Sequence, residues 1–219
     1  MPSRNVIRSF AEDSYYHVYN RGVEKRKIFL DDQDYNMFLY YLSIYLLPLE
    51  QLLELYPKFP LRLYPKNLHG EVELLSYALM PNHFHLLLKQ RRIDGVSKLL
   101  KQVTNGYTLY FNNKYERVGG LVQGRFKAVG IESDELLLHV FRYIHLNPVI
   151  ARLVENPGHY KWSSHKEYLE KGKHSRSFIN KELILSHFIS VDKLEEFILD
   201  HIGYARELDK IKDLALEEN

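Results

Sequence analysis

Over residues 15–19, Tyr15-Tyr16-His17-Val18-Tyr19, the side chains are aromatic or β-branched, and Asn20-Arg21-Gly22 follows as a turn signal. That pattern predicts a strand. Phe38, Tyr41, Leu42, Tyr45 and Leu46 then recur at helical spacing behind Asp31, Asp32 and Asp34, which supply capping and first-turn carboxylates. Residues 74–80 and 82–89 read as two strands joined at Pro81-Asn82, an antiparallel hairpin. Alternation along the second puts His83, His85 and Leu87 on one face and Phe84, Leu86 and Leu88 on the other. A long helix follows from Asp94, with Val96, Leu99, Leu100, Val103, Tyr107, Tyr110 and Phe111 on one stripe. Residues 125–131 read as a strand. Ser133 or Asp134 opens another helix with Leu136, Leu137, Val140 and Ile144 as its stripe, and Pro148 is expected to end it.

The order strand, helix, strand, strand, helix, strand, helix predicts an α+β fold with helices packed on one face of an antiparallel sheet. Residues 47–72, broken by Pro48, Pro57, Pro60 and Pro65, read as an insertion between core elements. Residues 1–170 are expected to form one domain, and 171–219 a charged helical C-terminal extension.

Composition narrows the chemistry. Of 219 residues, 45% are hydrophobic and 26% charged, which are globular values. There is no cysteine, so disulfides, thiolate metal sites and a thiol nucleophile are excluded, and a reducing cytoplasm is the expected compartment. No apolar run of about 18 residues predicts a membrane span, and the first residues lack the apolar run of a secretory signal. A net charge of +2 makes only a local basic patch relevant to a polyanion partner. The 17 tyrosines and 11 phenylalanines are mostly core material, with a few available to stack on unpaired bases.

Two constellations carry chemistry. His83 and His85 stand two apart on a strand, roughly 6.5–7 Å between Cα atoms, so both imidazoles can reach one cation. Taken alone, the pair is more readily explained as two packed or solvent-facing side chains. In Arg142-Tyr143-Ile144-His145-Leu146-Asn147-Pro148, Tyr143 and Asn147 lie one helical turn apart, a phenol beside an amide oxygen suited to Mg²⁺ or Mn²⁺. His139 shares that face. Tyr143 also fits as the edge of the packed stripe, and Tyr107, Tyr110 and Tyr115 compete as nucleophiles. Arg125 and Lys127 flank Phe126 after a glycine, a pattern for phosphate and base contact. Arg21, Lys25 and Arg26 form a second basic group.

Taken together, Pro81-Asn82-His83-Phe84-His85 and Arg142-Tyr143-Ile144-His145-Leu146-Asn147-Pro148-Val149 resemble the metal and tyrosine motifs of the HUH single-tyrosine transposases. The Asn-Pro ending is most similar to the REP-associated tyrosine transposases. Tyr16-His17-Val18-Tyr19-Asn20-Arg21-Gly22 and Trp162-Ser163-Ser164 resemble the family's usual beginning and end. The resemblance spans roughly residues 14–170. Asn147 stands where other HUH transposases usually carry Gln, and Val122 where relatives often carry Trp.

The resemblance implies a ferredoxin-like, RRM-like sheet and metal-dependent cleavage and rejoining of single-stranded or hairpin DNA. Tyr143 would form a 5′-phosphotyrosine bond. His83, His85 and Asn147 would hold Mg²⁺ or Mn²⁺, and Arg21, Arg125, Lys127 and Arg142 would contact DNA. The protein would act as a monomer or homodimer, in the bacterial cytoplasm and on the nucleoid when bound to DNA. The competing readings are a DNA-binding protein on the same scaffold that does not cut, and an RNA-binding sheet, which would need exposed aromatics where the histidines stand.

Overall fold

The computed structural model describes residues 10–170, 178–200 and 202. Four strands, β1 (Ser14–Arg21), β2 (Val72–Met80), β3 (His83–Gln90) and β4 (Lys127–Ile131), form one antiparallel sheet in the order β2-β3-β1-β4. This is the strand order of a ferredoxin-like fold. The connections from β1 to β2 and from β3 to β4 each skip one strand and each carry a helix.

Those helices, α1 (Asp32–Leu46) and α3 (Gly95–Lys114), cover one face of the sheet, as the stripes predict. Phe38 of α1 packs against Phe84 of β3 and Tyr107 of α3, with ring centroids 5.0 and 5.2 Å away. Asp31 caps α1 by accepting from the Asp34 amide. Asp34 itself is buried and accepts from the Leu30 amide, Tyr110 and Tyr115, with the Lys114 ammonium 2.9 Å away. Its charge is therefore fully matched, as a buried carboxylate requires.

The opposite face carries α4 (Asp134–Ile150), so helices flank the sheet on both sides. Ser133 caps α4 through the Leu136 amide. The apolar stripe differs from the predicted one. Leu137, Phe141, Ile144, Leu146 and Val149 are buried, while Leu136 is exposed. The helix meets the sheet on one flank and later chain on the other, which broadens its buried surface beyond one stripe. Pro148 does not end α4. The helix runs on to Ile150, where the Ala151 amide still bonds the Asn147 carbonyl. Proline removes one amide donor without unwinding a turn held by packing on both sides.

The 47–72 segment holds α2 (Leu49–Leu55) and a 3₁₀ stretch over Leu61–Lys66, anchored by buried Leu52, Phe59 and Leu68. Beyond α4, Trp162 stacks flat on Tyr35 at 4.4 Å, and the chain runs along β2 into α5 (His165–Leu169). Of the expected extension, Ile179 bridges to Leu74 at the sheet edge, followed by α6 (Glu182–Leu185) and α7 (Val191–Leu199). Buried Leu194 and Ile198 dock α7 against α4 and α5. Residues 171–177 and 203–219 of that extension lie outside the described residues. Among those described, no helix is long and apolar enough to cross a membrane.

Candidate active site

The site lies on the α4 face of the sheet, where the two central strands end. Because β1 and β3 pair antiparallel with Tyr19 opposite His85 and Arg21 opposite His83, His17 becomes the diagonal neighbour of His85. Their rings stack at 5.0 Å, and His17 Nε2 lies 2.8 Å from His85 Nδ1. His83 Nδ1 is 2.6 Å from Asn82 Oδ1. Each histidine of the pair thus has its Nδ1 engaged by the protein, so Nε2 is the nitrogen that could reach a cation. This is the outer-shell arrangement that orients metal-binding imidazoles.

Tyr143 comes down from α4 onto these rings. It stands edge-on to His85 at 5.7 Å and to His17 at 5.9 Å, in the same chain, and is 42% exposed. Asn147, one turn on, is buried, and its Nδ2 donates to the Tyr143 carbonyl, so its Oδ1 remains as an acceptor. A cavity of about 360 Å³ is lined by His83, His85, Tyr143 and Asn147, with Tyr19, Asn20, Arg21, Gln123 and Lys127 around them. Among the described residues, no carboxylate lines it.

Burial lowers His83 and His17 to about 4, the Arg21 cation adding to the effect on His83. Burial, with His17 and His83 nearby, holds His85 well below the usual range. All three imidazoles are therefore neutral at pH 7, the state that ligates metal. No cluster of three or more His, Cys, Asp or Glu suited to a metal exists among the described residues. Two imidazoles and an amide oxygen are instead three neutral donors.

Of the DNA-contacting candidates, Arg21 and Lys127 line this cavity and Arg125 lies in a neighbouring one. Arg142 is not brought to either. It is buried with its guanidinium 4.4 Å from the Phe197 ring and 2.6 Å from His139 Nδ1, because one residue along a helix turns the side chain about 100° from Tyr143, here toward α7. His139 accordingly pairs with Arg142 and Glu135. The rival tyrosines lie outside the cavity: Tyr107 donates to the Ile28 carbonyl, and Tyr110 and Tyr115 to Asp34.

Sequence reasoning missed His17, Tyr19, Asn20 and Gln123 as site residues. His17 and Tyr19 were visible as same-face neighbours on β1, but only the register shows what they touch. The turn that delivers Asn20 and Arg21 depends on Gly22, where a Cβ would lie 2.2 Å from the Arg26 carbonyl oxygen.

Residues 63–147 match the family model described as "Transposase IS200 like". A search of curated proteins finds no match. Among solved structures, the chain is similar to a REP-associated tyrosine transposase bound to a REP hairpin. The TM-score is 0.54 at 15% identity, over 76% of this chain and 85% of that one. That likeness shows a shared fold. The family match spans both chemical motifs, the histidine pair and the tyrosine helix.

Proposed function

We propose that this protein cuts and rejoins single-stranded or hairpin DNA through Tyr143, with Mg²⁺ or Mn²⁺ held by His83, His85 and Asn147. The observation that carries this reading is the exposed Tyr143 ring edge-on over His85 at 5.7 Å, in one cavity with His83 and Asn147 of the same chain.

The phenolic oxygen attacks the scissile phosphorus in line with the departing 3′-oxygen. A bond from phosphorus to tyrosine forms, the bond to the 3′-oxygen breaks, the phenol proton passes to solvent and the 3′-oxygen leaves as a hydroxyl. One ester replaces another, so attack by a 3′-OH restores the strand without ATP. Ordinary phenols, of pKa about 10, are weak nucleophiles at pH 7. When bound, the cation withdraws charge from the phosphate and orients it. The three neutral donors leave that cation's charge to be balanced by the phosphate, and their two nitrogens suit Mn²⁺ better than oxygen-preferring Mg²⁺. Arg21 and Lys127, on the cavity rim, supply further positive charge to the strand.

The test is incubation with Mn²⁺ or Mg²⁺ and a labelled single strand bearing a hairpin, followed by denaturing electrophoresis. The wild type is expected to yield a protein–DNA adduct, and Tyr143→Phe none, with DNA binding retained. An adduct surviving in Tyr143→Phe would place the nucleophile elsewhere. Binding by the wild type with no adduct under either ion would make the protein a non-cleaving binder.

A further inference from the structure

A second cavity, of about 350 Å³, opens beside the catalytic one between the outer face of α3 and the loop over residues 120–126. We propose that it is a subsite for one nucleotide of single-stranded DNA, the one adjoining the scissile phosphate. The assignment rests on the strand-cleaving reading for its substrate and on separate observations for its existence.

The first observation is charge. Lys101 and Arg125 line the cavity, no carboxylate does, and neither cation has a carboxylate partner among the described residues. Lys98 of the same helix, by contrast, lies 3.9 Å from Glu71, and Lys114 sits between Asp31 and Asp34. Two bare cations facing one cleft repel each other and attract an anion.

The second observation is the kind of anion. The Arg125 guanidinium lies 5.7 Å from the Phe126 ring, and Arg125 donates to Ser97 Oγ at 3.5 Å. A planar cation beside an aromatic ring offers both a fork for phosphate and a surface for a base. Ser97, Lys101, Thr104 and Asn105 fall on one face of α3, opposite its core stripe. Thr104 Oγ1 already donates to the Leu100 carbonyl at 2.6 Å, so it can only accept from a ligand. The Asn105 amide can both donate and accept, as a base edge requires.

The third observation is continuity. Asn20 lines both cavities, with its Nδ2 donating to the Gly124 carbonyl at 3.4 Å and its Oδ1 accepting from the Arg21 amide at 2.8 Å. Gln123 and Lys127 face the catalytic cavity, while Gly124, Arg125 and Phe126 face the second. Gly124 has φ +53° and nothing within 4 Å of where a Cβ would stand, so the dividing wall is low there. A strand whose phosphate sits over His83 and His85 can therefore cross Asn20 and lay its next nucleotide against Arg125 and Phe126.

The experiment measures binding of a labelled hairpin with single-stranded flanks by anisotropy in EDTA over a salt series, with Lys101→Ala/Arg125→Ala beside the wild type. Each phosphate neutralised on single-stranded DNA contributes about 0.7 to the slope of log K against log salt, so the double variant, which loses the one phosphate of the subsite, should lose about 0.7 from that slope. Its affinity at about 0.1 M salt should fall on the order of ten-fold. Lys98→Ala should match the wild type, and removing the flanks should abolish the difference between wild type and double variant. An unchanged slope in a double variant with wild-type melting temperature overturns the subsite. So does an equal loss on a hairpin without flanks, which would mark a diffuse basic surface. The same DNAs are assayed for the covalent adduct. Adduct formation unaffected by the double variant, with an unchanged slope, sinks the subsite alone, whereas a slope change without any adduct sinks the cleavage reading alone.

Discussion

The core beneath α1 and α3 and the cavity beneath α4 use tyrosine in opposite ways. On the α1/α3 face, Tyr107 is buried among Phe29, Phe38 and Phe111 with its hydroxyl on the Ile28 carbonyl, and Tyr110 and Tyr115 end on the Asp34 carboxylate. Burial raises the pKa of all three, with Asp34 adding to it. On the α4 face Tyr143 keeps 42% of its surface exposed and stands edge-on to His17 and His85. A tyrosine becomes structural when burial and a fixed acceptor consume its polar end, and it stays reachable when its ring lies partly exposed at the rim of a cavity.

The sharpest way to break that contrast is to remove hydroxyls one at a time. Tyr143→Phe should reduce adduct formation to background with an unchanged melting temperature. Tyr110→Phe should leave the adduct intact and cost only about 1 kcal/mol in denaturant unfolding, the worth of a typical hydrogen bond. Comparable adduct loss in both variants would erase the distinction between the faces. Next in size, Phe84→Ala, which empties the core face of the strand that carries the histidines, should cost about 3–5 kcal/mol of stability.

Acid should come next. Burial lowers His165 to about 4 and His145 well below its usual value, while His17 and His83 also lie at about 4. An unfolded histidine titrates near 6.5. Between those values the unfolded chain binds more protons than the folded one, so stability falls as pH drops from about 6.5 to about 4. Each unit of depression corresponds to about 1.4 kcal/mol. Among the described residues neither ring nitrogen of His165 has a hydrogen-bond partner, so His165→Phe should flatten part of the decline. A stability profile level across that window in metal-free buffer would contradict the burial of these rings.

The final comparison concerns His17. His17→Leu removes the group that engages His85 Nδ1 and should weaken Mn²⁺ binding, read by EPR of free Mn²⁺, by about 10–100-fold. His17→Gln, which can still accept from that nitrogen, should recover part of the loss. Equal affinities in wild type and His17→Leu would show that His85 needs no such orienting contact.

Much of this was legible in the chain. Strand alternation alone puts His83 and His85 together and opposite Phe84, and helical spacing alone stacks Asn147 on Tyr143. The caps at Asp31 and Ser133 followed from local chemistry as well. Where the reading failed, a neighbour distant in sequence prevailed. α4 passes Pro148 because packing holds its last turn, its stripe shifts away from Leu136, and Arg142 turns to Phe197 rather than into the cavity beside Tyr143.

The sequence by itself determined the elements, their inward faces and the residue types capable of the chemistry, since periods of two and 3.6 residues are local properties of the backbone. Only the tertiary structure decided which of those residues meet. His17 and His85 are 68 positions apart, and Asn20 and Gly124 are 104 apart. Pairing register and helix docking, which bring such distant positions together, are set by burial summed over the whole core rather than by any one segment's pattern.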